Sequence, residues 1–84
     1  MYQVLIERKA EKDLEILPAK IFQKVSAKIQ QLANNPRPQG SQKLRNSDDN
    51  YRIRIGDYRV LYEIDRQDKV VKIFRVKIRG QAYR

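Results

Sequence analysis

Tyr2 to Ile6 is a short run of β-prone residues, and after it the spacing of apolar positions lengthens from two toward that of a helix: Ala10, Leu14 and Leu17 stand at i, i+4 and i+7. A strand followed by a helix is the expected start. Pro18 lacks the N–H that would continue this helix but suits the first turn of a new one, and Ile21, Phe22, Val25, Ile29 and Leu32 form a second apolar stripe. Lys20, Lys24 and Lys28 occupy another face of that helix and read as its solvated side. Asn34-Asn35-Pro36-Arg37-Pro38 ends it, because Asn tolerates a left-handed cap and Pro supplies the break. Gln39 to Asn50 reads as polar loop interrupted by Leu44, and three β-type segments follow at Tyr51 to Ile55, Tyr58 to Asp65 and Val70 to Ile78. The pattern predicts an α+β fold in the order β-α-α-β-β-β, one small domain over residues 1–84, with a helical hairpin packed on one face of an antiparallel sheet.

Gly56-Asp57 is a two-residue connection with Gly first, which fits a type II′ hairpin turn. Such a turn fixes the register, so Ile55 faces Tyr58, Arg54 faces Arg59, Ile53 faces Val60, Arg52 faces Leu61 and Tyr51 faces Tyr62. The face carrying Tyr51, Ile53, Val60 and Tyr62 belongs under the helices. The other displays Arg52, Arg54 and Arg59 around Leu61, and like charges opposed across strands cost stability. Keeping an open sheet face soluble explains any one of these arginines; three clustered together favour an anion site, since guanidinium groups bind phosphate and carboxylate in forked geometry. Two registers remain open for the last segment. If Asp65 faces Val70, Glu63 meets Lys72 as an ion pair and Leu61 meets Phe74 as an apolar floor beside the arginines, but strict alternation then sends Arg75, Lys77 and Arg79 to the helix side, where charge is expensive. A bulge or a slip of one residue would bring Arg79 round to the arginine face.

Composition narrows the chemistry. The 84 residues include no Cys, His or Trp, which excludes zinc fingers, thiol nucleophiles, disulfide scaffolds and every imidazole acid or base. Nineteen Lys and Arg against ten Asp and Glu leave a net charge of +9, which points to a polyanion such as nucleic acid. Residues 1–35 hold six basic and four acidic side chains, and residues 36–84 hold thirteen and six, so the second half carries the footprint. No apolar run exceeds three residues, and a cytoplasmic location away from the membrane is the expectation. So short a chain has a small core and is expected to gain stability from a partner.

Lys43-Leu44-Arg45, then the stretch Tyr51-Arg52-Ile53-Arg54-Ile55-Gly56-Asp57-Tyr58-Arg59-Val60-Leu61-Tyr62, and finally Val76-Lys77-Ile78-Arg79-Gly80-Gln81-Ala82-Tyr83-Arg84 resemble the RelE-like toxins of the RelE/ParE superfamily. The resemblance covers nearly the whole chain. It implies a toxin of a type II toxin–antitoxin system that inhibits translation by cleaving messenger RNA in the ribosomal A site without a metal ion or other cofactor. It also implies a cognate antitoxin, and the surplus positive charge makes an acidic one the natural partner. Carried over by position, Arg52 and Arg54 stand where the family has basic residues on its catalytic strand. Arg59 matches the Arg that grips phosphate, Arg79 the Arg of the last strand, and Tyr83 the C-terminal Tyr that stacks on a base or assists proton transfer. Lys43, Arg45 and Lys77 are the further candidates for RNA binding. The chain departs from the family pattern in carrying arginines where lysines are typical and Ile78 where many relatives have His before the late Arg.

RNA cleavage by attack of the 2′-hydroxyl on the adjacent phosphate needs an in-line nucleophile, stabilised negative charge and a proton taken and given. Arginines stabilise charge without a pKa near neutrality. They are not general bases, so Tyr83 or Lys77 is left to move a proton, and orientation by the ribosome would carry much of the rate. A metal nuclease is a poor alternative, because Asp48, Asp49 and Asp57 sit in ordinary turn sequences. Two other readings are a DNA gyrase inhibitor of the ParE type and a non-catalytic nucleic-acid-binding module of the same fold; Arg59, Arg79 and Tyr83 together favour the nuclease.

Overall fold

A computed structural model describes residues 1–78. In chain order the elements are β1 (Gln3–Ile6), α1 (Arg8–Glu15), α2 (Ala19–Gln31), β2 (Ser41–Lys43), β3 (Asn50–Ile55), β4 (Tyr58–Asp65) and β5 (Val70–Ile78). The strands form one sheet in the order β1-β5-β4-β3-β2, with β4 at its centre. The two helices cover one face. Ala10 and Leu14 of α1 and Val25 and Ile29 of α2, with Leu32 just beyond, are buried against Tyr51, Ile53, Val60, Tyr62, Ile64, Val71, Ile73 and Val76 of the sheet. The architecture is the expected α+β one, and both helices lie where their apolar stripes place them. Phe22 differs: it stands at the flank of the α2 stripe and is 43% exposed. Among the described residues no helix is long and apolar enough to cross a membrane.

Two features of the sheet go beyond the expected pattern. Ser41–Lys43, inside the stretch read as loop, pairs antiparallel with β3 as an edge strand. It is short and wholly polar, so it exists by backbone pairing rather than by burying a face. The chain reverses between β2 and β3 through Asn46, at φ 60°, while the Ser47 hydroxyl accepts the Asn50 N–H at 3.1 Å. The sheet is also mixed. β1 runs parallel to β5, from Gln3 opposite Val70 to Ile6 opposite Ile73, and the other pairs are antiparallel. Parallel strands need no tight turn between them, so no local signal announces the pairing.

The β3–β4 hairpin has the register its turn dictates, residue for residue from Ile55 opposite Tyr58 to Tyr51 opposite Tyr62. Gly56 has φ 60° and Asp57 does not have a positive φ, as a type II′ turn requires. Tyr51 and Tyr62 stack beneath the helices with ring centroids 6.0 Å apart. The Tyr62 hydroxyl donates to the Pro36 carbonyl at 2.7 Å, tying the segment after α2 to the central strand.

β5 resolves the choice of registers by a bulge. Asp65 faces Val70 and Glu63 faces Lys72, whose ammonium lies 3.8 Å from the carboxylate, as the simple register requires. The pairing then shifts between Leu61 and Tyr62: Tyr62 still faces Ile73, but Leu61 faces Arg75 instead of Phe74. The expected Leu61–Phe74 pair is therefore replaced, with Phe74 as the extra residue. Ile73 and Val76 both stay on the buried side, and Arg75 and Lys77 are spared it.

Asp13 holds β5 at this point. Arg75 donates from Nε to Asp13 Oδ2 at 2.9 Å and from Nη2 to Oδ1 at 3.3 Å, and the Val76 N–H donates to Oδ2 at 2.9 Å. Burial pushes the Asp13 carboxyl up, but these hydrogen bonds and the charges of Arg75 and Lys77 outweigh it and hold the group below its ordinary value of 3.8. The Arg75 guanidinium is pushed up in return, first by the hydrogen bond to Asp13. A depressed carboxyl stabilises the fold fully at neutral pH, and that stabilisation is lost as the pH falls through the folded-state value. Urea unfolding should therefore show a midpoint that drops on acidification below the ordinary carboxylate range, and Asp13→Ala should cost about 1–3 kcal/mol at neutral pH while flattening that acid dependence.

Candidate functional site

The face of the sheet away from the helices carries the basic side chains, because alternation along each strand that buries one set of residues exposes the other. Arg54 on β3 faces Arg59 on β4, which faces Lys77 on β5, so three cations stand abreast on adjacent strands. In the next row Gln42 on β2 faces Arg52 on β3, which faces Leu61 on β4, which faces Arg75 on β5. The rows differ in exposure. Arg54 is exposed and Arg52 half-buried, whereas Arg59, expected on display with them, is only 6% exposed. Arg59 sits on the central strand between β3 and β5, and its burial reaches the guanidinium, whose Nε and Nη1 are themselves buried.

A cleft of about 410 Å³ opens beside these rows, lined by Gln42, Lys43, Leu44, Arg45, Arg52, Arg59 and Leu61. Of these seven described residues four are cations and none is acidic. β2 is what closes the cleft, since its pairing with β3 lays Lys43, Leu44 and Arg45 alongside Arg52. The Arg52 Nη2 donates to Gln42 Oε1, which fixes the guanidinium across the β2–β3 pair. With that oxygen engaged, Lys43, Arg45 and Arg52 offer N–H donors at the cleft, and the apolar walls are Leu44 and Leu61. Such a lining suits phosphate oxygens and the planar faces of bases.

The structure thus brings Lys43, Arg45, Arg52 and Arg59 together, with Arg54 next to them and Lys77 across the strand pair from Arg59. Lys77 also borders a second groove of about 280 Å³ at the edge of β5, where Asp13, Ile16, Leu17, Tyr58 and Ile78 meet. Arg79 and Tyr83, the other candidates, lie outside the described residues. Asp48, Asp49 and Asp57 are exposed in turns, apart from the cleft. Tyr62 is turned to the helix side, away from the cleft, and burial pushes its phenol up to about 12. Three residues at or beside the site have roles that the sequence alone does not assign. Gln42 carries no signal of its own, Leu44 was visible only as the lone apolar residue of a polar stretch, and Arg75 is assigned to Asp13 only by contact across the fold.

Comparison with known proteins gives a consistent set of likenesses. The model of the family described as the ParE toxin of type II toxin–antitoxin system, parDE, matches residues 4–83. The RelE1 protein of Methanocaldococcus jannaschii is 34% identical over 86 residues, spanning 99% of this chain and 96% of its own length. The toxin RelE of Mycobacterium tuberculosis is 36% identical over 84 residues, spanning 99% and 87%. Among solved structures, a chain of the archaeal RelE–RelB complex from Pyrococcus horikoshii OT3 superposes with a TM-score of 0.84 at 35% identity, covering 95% of this chain and 97% of that one.

The cleft predicts a graded response to charge removal. Arg52→Ala and Lys43→Ala should each elute earlier from a heparin column, and each should lower the slope of log affinity against log salt for single-stranded RNA by about 0.7. Lys20→Ala, on the solvated side of α2, should leave both readouts unchanged.

Proposed function

The chain belongs to the RelE/ParE family of type II toxin–antitoxin toxins, on its RelE-like side, and from that premise we propose that it is a ribosome-dependent endoribonuclease that stops translation by cutting messenger RNA in the A site. The observation that carries this reading is the carboxylate-free cleft on the open sheet face, where Lys43, Arg45, Arg52 and Arg59 converge. A phosphodiester offsets the mutual repulsion of these cations and accepts from their N–H groups.

In the proposed reaction the ribose 2′-oxygen forms a bond to the adjacent phosphorus while the bond to the departing 5′-oxygen breaks. A proton leaves the 2′-hydroxyl and one arrives at the 5′-oxygen. Arg52, Arg54 and Arg59 stabilise the charge that builds on the phosphate, with Arg79 as the fourth contributor. Arginine stays protonated, so the proton movements fall to Lys77 or Tyr83, and in-line placement of the nucleotide by the ribosome supplies much of the acceleration. No metal takes part in this scheme, and Lys43 and Arg45 hold the flanking backbone.

The match to the ParE family model favours a second reading, inhibition of DNA gyrase on the same fold. Expression in a sensitive cell separates the two. The nuclease should arrest translation and leave discrete primer-extension stops within coding frames, seen only where messages are being translated; Arg59→Ala and Arg79→Ala should remove the stops and restore growth by at least about tenfold. Intact messages accompanied by trapped gyrase cleavage complexes would establish the ParE-type activity instead.

An antitoxin completes the proposal. The P. horikoshii relative was solved with RelB, and a +9 chain is suited to a segment rich in Asp and Glu that pairs with the arginines. Co-expression with the adjacent reading frame in its genome should restore growth, and the complex should melt higher than the toxin alone, by binding linkage. Association between the two should slow as salt is raised.

A further inference from the structure

We propose that Asp13 is a positioning residue for the basic row, setting the register in which Lys77 stands opposite Arg59 without itself touching a ligand. The inference rests on the reading of that row as the RNA site. Two facts about β5 make such a residue necessary. Its buried positions are Val71, Ile73 and Val76, a sequence that strict alternation cannot produce, so the strand must carry one extra residue between Ile73 and Val76. Its outer edge is also supported by β1 only as far as Ile73, so the bulge forms where the strand has lost one neighbour.

Asp13 substitutes for that neighbour. Its carboxylate takes the Val76 N–H at 2.9 Å and the Arg75 guanidinium at 2.9 and 3.3 Å, joining α1 to β5 across 62 and 63 positions of sequence. The backbone N–H marks where the strand resumes its alternation, and the guanidinium marks which side chain leaves the buried side. One carboxylate binds both. A slip of one residue would withdraw Arg75 from Asp13 and drive Lys77 toward the apolar layer, so the slipped register is disfavoured twice. The clasp also settles which cation β5 contributes. Arg75 is ion-paired with Asp13, and Lys77, whose charge also acts on Asp13, is the β5 cation in register with Arg59 and Arg54.

The test uses Asp13→Asn, which keeps an acceptor for the Val76 N–H but loses the charge that holds Arg75. Three readouts are taken on the full chain: amide exchange at Val76, NMR contacts between the Arg59 and Lys77 strands, and cleavage kinetics on programmed ribosomes. Exchange at Val76 should rise by about tenfold or more, and the Arg59–Lys77 contacts should weaken. The kcat should fall by about tenfold, with KM for the ribosome within about twofold of the parent. Asp13→Glu, which restores the charge one methylene further out, should recover part of the kcat. A role in bulk stability alone would instead make kcat follow the melting temperature across Asn, Glu and Ala variants, and that outcome overturns the proposal. So does an Asp13→Asn protein that keeps both the cross-strand contacts and the parent kcat. If the parent protein itself cuts no RNA, the functional reading falls and the exchange and NMR measurements still decide the register claim. If Asp13→Asn does not fold, Arg75→Gln removes the other half of the clasp and is carried through the same three measurements.

Discussion

A five-stranded sheet with one oily face and one charged face can exist only if every strand keeps its two kinds of residue on opposite sides. β3 and β4 satisfy this by simple alternation, with Tyr51, Ile53, Val60 and Tyr62 inward and Arg52, Arg54, Arg59 and Leu61 outward. β5 cannot, because its buried apolar residues fall at 71, 73 and 76. The bulge at Phe74 is the price of burying Val76 without burying Arg75 and Lys77. Much else follows from it: the row of cations reaches a third strand, Arg75 meets Asp13, and α1 is bound to the last strand by a carboxylate rather than by apolar contact alone.

The location of the basic site has a mechanical logic. Arg59 lies on the central strand, backed by Val60 and Tyr62 in the core and flanked on both sides by paired strands, so its backbone is held from both sides. Lys43 and Arg45 come from the edge of the sheet and the loop beyond it, where the backbone is held only by β2 and a few turn hydrogen bonds. A rigid centre with a more adaptable rim suits a site that places one phosphate accurately and accommodates neighbouring nucleotides.

Crowding Arg54, Arg59 and Lys77 on adjacent strands opposes folding, since like charges directly opposite are unfavourable. The core that offsets this is small. On the proposed function, stability and binding would be coupled in this chain, because an anionic ligand or an acidic protein partner would relieve repulsion within the row. The same arrangement would act on the proposed RNA substrate by charge rather than by titration, as none of the described cleft-lining residues is a carboxylate or an imidazole.

Local and short-range chemistry determined a large part of this protein from its sequence. The two helices follow from apolar spacing, the β3–β4 register from a two-residue turn with Gly56 first, and the shared face of Arg52, Arg54 and Arg59 from that register alone. The family was equally legible, because the stretch from Tyr51 to Tyr62 is contiguous. The tertiary structure decided what depends on partners distant along the chain. β2 is three polar residues that become a strand only when β3 lies beside them, so its contribution of Lys43, Leu44 and Arg45 to a cleft had no local signature. β1 meets β5 in parallel across more than sixty residues, with no turn to announce it. The choice between two registers for β5 rested on a bulge, and the burial of Arg59 on its place at the middle of the sheet; neither is a property of a residue and its neighbours in sequence. Asp13 shows the same limit most plainly, since a lone acidic residue on a short charged helix means nothing until Arg75 and the Val76 N–H are brought to it through space.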